Sequence, residues 1–394
     1  MKMERKAQSH NQRGLRPKSA THMQAGNGDP RVALRSSVRP KPNPYEVQFG
    51  DAQHGCTLAG EIVREKHSRR MPLKDYKNSV SLGYPPGPNV GRFERKELIA
   101  EGGYGSVYKG VDLKTKQTVA LKYMNSAEDD SLSQATLREV GLLRAAGSHD
   151  NIVRILCWYF LPKTTVMVLE YLETDLSQFI KKHRAENRVL PNYLIKSIMK
   201  DILVGTEHLH GRGIAHRDMK PRNILIDTNN GWRAKIADFG LSKFMTFPVL
   251  PRAENFGTRW YRAPEVLLAC KITTMRVDMW SIGTIFAEIK ERHALFPGKD
   301  HDEQVDMIFA TLGVPTADSW PDMYQKIKPI IQSLRHYSTN RLREKVPSMN
   351  EEELGILQNL FQYQSARRWT AGEVLKLEYF SAATTSDAGD FEMI

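Results

Sequence analysis

Around Arg92 the texture of this 394-residue chain changes, and the change decides how much of it can fold. Residues 1–91 hold nine Pro, nine Gly and only 13 Leu, Ile, Val or Phe. A segment so poor in these apolar types and so rich in charge has too little apolar area to offset the entropy of ordering it. Residues 1–92 are therefore expected to be a disordered extension, closed by the stiff run Tyr84-Pro85-Pro86-Gly87-Pro88. From residue 93 to 380 the chain reads as a foldable unit, and 381–394 form a short acidic tail. No repeat of fixed period is present.

Charge follows the same division. The formal net charge is +12, and 16 basic against 7 acidic side chains put +9 of it in residues 1–91. The other 303 residues carry only +3, which disfavours a uniformly basic nucleic-acid-binding domain. Lys66, Arg69, Arg70 and Lys74, and also Arg13, Arg16 and Lys18, read as solvated charge on a tail. Nuclear import or anionic tethering is the alternative, and nucleic acid is expected only through this extension. Four aromatics there, Tyr45, Phe49, Tyr76 and Tyr84, are few for base stacking.

Cys56, Cys157 and Cys270 are widely spaced with no Cys-x-x-Cys pair, which fits a reducing, nuclear or cytoplasmic compartment. Neither a secretory leader nor the ~18-residue apolar run of a membrane span is readable.

Within the foldable unit, strand-like runs come first: Phe93–Ile99, Ser106–Val111 and Gln117–Tyr123. A helical pattern spans Ser131–Ala146, and two more strand-like runs cover Ile152–Tyr159 and Thr164–Tyr171. From Asp175 to Phe380 helical periodicity dominates, as in Leu194–Leu209 and Val277–Lys290. A small strand-rich unit (93–172) joined to a larger helical one (173–380) predicts two lobes with a cleft between them.

The turn Ala100-Glu101-Gly102-Gly103-Tyr104-Gly105-Ser106-Val107 lies between two of the strands. Small residues there let backbone N–H groups approach phosphate oxygens, though Gly-rich hairpins are also common structural turns. Val119-Ala120-Leu121-Lys122 follows on the next strand, and Glu139 falls 17 residues later amid Leu137, Val140, Leu142 and Leu143. A carboxylate on so apolar a face needs a partner, and Lys122 is the candidate.

Three further segments complete the pattern: His216-Arg217-Asp218-Met219-Lys220-Pro221-Arg222-Asn223, then Asp238-Phe239-Gly240, then Trp260-Tyr261-Arg262-Ala263-Pro264-Glu265. With these in order, residues 93–380 resemble the eukaryotic protein kinase family. The resemblance implies an α+β bilobal fold, with a small antiparallel-sheet N-lobe carrying one helix and a larger, mainly helical C-lobe. It implies phosphotransfer from ATP with Mg²⁺, catalysed by positioning and charge neutralisation. Asp218, Lys220, Lys122 and Glu139 are then the catalytic set, and Asn223 and Asp238 the metal ligands. Ile99, Ala100, Glu101, Gly102, Gly103, Tyr104, Gly105, Val107, Ala120, Lys122, Glu170, Leu172, Asp175 and Leu225 would surround the nucleotide, with Leu169-Glu170-Tyr171-Leu172 as the hinge. Glu265 is expected to pair with Arg368, and Asp278 to anchor the catalytic loop.

Trp260–Glu265, Ala294-Leu295-Phe296-Pro297-Gly298, Thr311-Leu312-Gly313-Val314-Pro315 and Trp320-Pro321 are similar to cyclin-dependent kinases, within the group that also holds mitogen-activated kinases. That similarity implies Pro-directed Ser/Thr phosphorylation of protein substrates, with Arg262 and Gly257 shaping the pocket after the acceptor. It also implies a cyclin-like subunit facing the helix Ser133–Glu139. A partner-independent relative of the same group and a pseudokinase scaffold are the alternatives.

Three departures stand out. Ala100 replaces the first Gly of the loop, which costs roughly 1–2 kcal/mol only if that site needs φ > 0. Gly103 stands where Thr is common, while Tyr104 remains. Ala253 occupies the site of the activating phosphothreonine, yet Arg138, Arg217 and Lys243 match the basic cluster that would embrace that phosphate. Thr258 matches a threonine bridging Asp218 and Lys220.

Overall fold

The computed structural model describes residues 89–102, 105–125, 134–161, 164–245, 259–270, 273–333 and 337–381. The basic extension to residue 88, the acidic tail, Gly103, Tyr104, Thr246, Ala253, Glu254, Gly257 and Thr258 lie outside the described residues.

Six strands form an antiparallel sheet: β1 (Asn89–Val90), β2 (Phe93–Gly102), β3 (Gly105–Asp112), β4 (Thr118–Asn125), β5 (Ile155–Leu161) and β6 (Thr164–Glu170). Their order is β1-β2-β3-β4-β6-β5, and the helix α1 (Gln134–Ala146) connects β4 to β5. The two-residue period of β4 sorts its side chains between the faces. Val119, Leu121 and Tyr123 pack with Val90, Phe93, Val166 and Val168 on one face. Met124 packs on the other with Met167 and with Val140, Leu142 and Leu143 of α1. Ala120 and Lys122 share the Met124 face, so the pattern that buries β4 also aims its lysine at α1.

β5 begins three residues later than the apolar run from Ile152 predicts. Ile152 is diverted into a parallel bridge with Ile236, and the Val153 N–H donates to the Ile236 carbonyl at 2.9 Å.

The remainder is mainly helical: α2 (Leu176–Ala185), α3 (Asn192–Gly211), α4 (Pro264–Leu267), α5 (Val277–Glu291), α6 (His301–Leu312), α7 (Pro321–Ser333), α8 (Leu342–Lys345), α9 (Glu351–Leu360), α10 (Ala371–Leu375) and α11 (Glu378–Ser381). α5 is buried continuously from Val277 to Ile289, as its apolar residues on every side require, and α3 and α9 pack against it. Two small sheets complete this part, β10-β9-β7 and β11-β8. Their strands are β7 (Thr174–Asp175), β8 (Ile214–Ala215), β9 (Ile224–Asp227), β10 (Arg233–Ile236) and β11 (Lys243–Phe244). The fold is thus α+β, an antiparallel sheet with its helix followed by a mainly helical part, in the bilobal kinase arrangement. Among the described residues no helix is long and apolar enough to cross a membrane.

The ion pair expected between Glu265 and Arg368 is present, with two parallel bonds of 2.5 and 2.7 Å and Arg368 fully buried. Losing either partner would strand a buried charge, at a cost of about 3–5 kcal/mol. These two residues hold the fold and lie outside the chemistry.

Candidate active site

Lys122 is the centre of a buried network. Its Nζ donates to Glu139 Oε1 at 2.5 Å and to Asp238 Oδ1 at 2.8 Å, so one ammonium joins the sheet, α1 and the Asp238-Phe239-Gly240 turn. Burial alone would lower the Lys122 pKa; the Glu139 and Asp238 carboxylates outweigh it and hold the ammonium well above its ordinary range. Burial likewise works to raise Asp238, but Lys122, backed by His216 and Lys220, brings that carboxyl down to about 2. Both groups therefore stay charged at neutral pH.

The turns beside this network are strained. Arg217 (φ 67°) and Asp238 (φ 65°) both sit in the left-handed region, where a residue with a Cβ costs roughly 1–2 kcal/mol. Asp278 at the start of α5 helps to hold the first of them. Its carboxylate accepts from the His216 N–H at 2.8 Å, the Arg217 N–H at 2.7 Å and His210 Nε2 at 2.9 Å. Burial would raise Asp278; its His210 bond and the surrounding donors bring it below the usual carboxylate range instead. The His216 ring donates from Nε2 to the Ala237 carbonyl at 3.0 Å, leaving Nδ1 to accept the Asp218 N–H at 3.3 Å. Phe239 is fully buried, edge-on to that ring at 5.2 Å.

A second set surrounds Asp218. Lys220 Nζ donates to Asp218 Oδ2 at 2.6 Å, and Asn223 Nδ2 donates to the Asp218 carbonyl at 2.8 Å and to Oδ2 at 3.1 Å. Among the described residues Oδ1 of Asp218 keeps its accepting capacity. With its amide nitrogen committed, Asn223 presents its oxygen, and Asp238 has Oδ2 beyond the Lys122 bond. These are hard oxygens of the kind Mg²⁺ takes. No group of three or more His, Cys, Asp or Glu forms a metal cage among the described residues. Mg²⁺ needs none, since one or two carboxylates and substrate phosphates complete its shell.

The residues expected around a nucleotide fall on connected rows. Ala100 lies opposite Val107, Val107 opposite Lys122, and Ala120 opposite Leu169. Ala100 is absent from the residues at positive φ, so its replacement of glycine costs no backbone strain. Ile99 is 45% exposed, and Glu101 and Gly102 are exposed at the hairpin end. Glu170 ends β6, and the half-buried Leu172 follows. Asp175 is buried and caps α2: Oδ1 accepts the Gln178 N–H at 2.9 Å and Oδ2 accepts Gln178 Nε2 at 2.8 Å. Leu225 on β9 pairs with Asp175 on one side and Lys235 on the other.

The family described as Protein kinase domain matches residues 93–380. The chain belongs to the protein kinase family. "Cyclin-dependent kinase B2-1" of Arabidopsis thaliana is 35% identical over 302 residues, covering 73% of this chain and 93% of that relative. "Cyclin-dependent kinase B2-1" of Oryza sativa subsp. japonica is 35% identical over 295 residues, with 73% and 90% covered. "Cyclin-dependent kinase B2-2" of Arabidopsis thaliana is 35% identical over 294 residues, with 73% and 92% covered.

On the outer side of this kinase, α1 packs beside β11, and each contributes an exposed apolar residue, Leu137 and Phe244, both 49% exposed. Arg138 is exposed on the same helix. Lys243 pairs with Ala215, two residues before Arg217, and Arg217 Nη1 donates to the Leu241 carbonyl at 3.3 Å. One feature of the kinase site escapes sequence reasoning. The Glu170 carboxylate binds Lys235 Nζ at 2.9 and 3.0 Å, and the only signal in the sequence is a lysine three residues before Asp238.

Proposed function

We propose that this kinase transfers the γ-phosphate of ATP, with Mg²⁺, to Ser or Thr hydroxyls followed by Pro in protein substrates, and that it works with a cyclin-like subunit. The observation that carries the reading is the pairing of two charged sets, Lys122 with Glu139 and Asp238, and Lys220 with Asp218 and Asn223. Phosphoryl transfer needs fixed cations around phosphates and one carboxylate free to take a hydroxyl proton. Lys122 would hold the α- and β-phosphates and Lys220 the group in transit. Asn223 and Asp238 would hold Mg²⁺, which supplies charge neutralisation at the phosphates. As the bond from the γ-phosphorus to ADP breaks, the substrate hydroxyl oxygen bonds to phosphorus and its proton leaves toward Asp218. Val107, Ala120 and Leu225 would enclose the base, with the backbone of Glu170 and Leu172 along its edge and the loop Ile99–Gly105 over the phosphates.

The relatives' names speak of cyclin dependence, and the exposed Leu137 and Phe244 offer apolar area beside α1 for such a subunit. Among the described residues Cys157 and Cys270 are free thiols, which suits a reducing nuclear or cytoplasmic setting. The test is to purify the intact kinase with its bound partners and assay paired peptides. A Ser-Pro peptide should be phosphorylated and its Ser-Ala counterpart should not. Equal rates on the two would remove the Pro-directed assignment, and transfer to Tyr alone would remove the Ser/Thr assignment.

A further inference from the structure

Glu170 is anchored at both its backbone and its side chain. Its N–H donates to the Arg154 carbonyl at 3.0 Å, and the Arg154 N–H donates back to Glu170 Oε1 at 2.7 Å. Lys235 Nζ then bridges both carboxylate oxygens. The two side chains are only 16% and 18% exposed, so solvent ions screen them less than a surface pair.

Lys235 itself stands on a fixed strand. The neighbouring Ala234 is bonded at both backbone groups, its N–H to Asp201 at 2.9 Å and its carbonyl from Asn151 Nδ2 at 3.0 Å. On the other side Ile236 donates to the Asn151 carbonyl at 2.9 Å and accepts from Val153 at 2.9 Å. Two residues further along, Asp238 is held by Lys122. Register supplies an independent alignment. Lys235 lies opposite Leu225, and Leu225 opposite Asp175. Directly opposed residues share a face, so the residue expected beneath the base sits between the hinge anchor and the carboxylate expected near the ribose.

We infer that Lys235 is a positioning residue for the nucleotide. By gripping Glu170 it fixes the hinge relative to the strand that leads into Asp238, and so sets the spacing between the base site and the metal side of the cleft. The inference rests on the nucleotide reading above. A merely structural role would shift the melting temperature and leave nucleotide affinity alone.

The experiment uses the full chain and titrates a fluorescent ATP analogue with Mg²⁺, alongside steady-state kinetics. Lys235→Met and Glu170→Gln should each weaken binding by about fivefold, the scale such an ion pair carries. KM for ATP should rise by a similar factor while kcat holds. Lys235→Arg should bind like the parent, and the exchanged pair Glu170→Lys with Lys235→Glu should recover part of the loss. Should Lys235→Met not fold, Glu170→Gln decides by the same readout. Unchanged affinity in the charge-removing variants overturns the inference, and so does a fall in kcat at constant KM. A parent that binds no ATP analogue would instead bring down the nucleotide reading itself, and this inference with it.

Discussion

At Gly105 the backbone takes φ +134°, and a Cβ built there would fall onto the carbonyl oxygen of Tyr123. Five residues earlier Ala100 occupies ordinary strand backbone opposite Val107. The two ends of the β2–β3 hairpin therefore differ in tolerance. Gly105→Ala should destabilise the kinase by at least about 2 kcal/mol, because strain and a backbone clash add. Ala100→Gly should change stability by less than about 1 kcal/mol, the entropy difference of an added glycine. Urea unfolding of both variants checks this, and equal losses would contradict the assigned backbone geometry. The substitution at 100 is visible in the sequence. Its harmlessness is not, because whether a position needs positive φ depends on how the hairpin is built.

Between elements, the end of α1 is tied to α3 through two histidines. The His149 and His208 rings lie 4.2 Å apart. His208 Nε2 donates to the Ala146 carbonyl at 2.6 Å, and its Nδ1 accepts from Arg212 at 3.0 Å. His149 Nδ1 accepts the Asn151 N–H at 3.1 Å, so protonating it costs a bond. Burial, joined by His208, Arg212 and Arg233 and opposed by Asp150, holds His149 below the usual imidazole range. A depressed folded pKa means that stability is full above the unfolded value of about 6.5 and is lost as pH falls through the folded one. Melting temperature should therefore decline between pH 7 and pH 5, and His149→Asn should flatten that decline. An identical slope in the variant would show that the pair plays no part.

No sequence pattern marks these two rings, 59 positions apart, or the Glu170–Lys235 pair, 65 apart, because each contact exists only once β10, α1 and α3 have packed. His216–Asn223 and Asp238–Gly240 stand out in the sequence for the opposite reason: the chemistry that the kinase resemblance implies needs particular side chains at short, fixed spacing. Element ends are less legible where a tertiary bond captures the chain, as Ile236 captures Ile152 and shortens β5.

At the largest scale, the sheet with its helix α1 and their connection is joined to the helical part at named bonds: Lys122 to Asp238, Glu170 to Lys235, Val153 to Ile236 and His208 to Ala146. In this arrangement α1 already places Glu139 on Lys122. Ala253 stands where the resemblance to cyclin-dependent kinases leads one to expect the activating phosphothreonine, with Glu254 beside it. We expect the kinase, with its proposed cyclin-like subunit, to be active without a phosphate at that position. The complex produced in bacteria and treated with phosphatase should still phosphorylate a Ser-Pro peptide. Strict dependence on phosphorylation at a site such as Thr246 would refute this.

The proposed phosphotransfer depends most directly on Asp218. Its most direct test is γ-phosphate transfer from radiolabelled ATP to a Ser-Pro peptide by the intact complex, comparing the parent with Asp218→Asn and measuring nucleotide binding in both. Turnover should fall by about 10²–10⁴-fold, the range for losing a positioned general base, with ATP binding retained. Unchanged turnover in the variant, or a parent that binds ATP and transfers nothing, would contradict it.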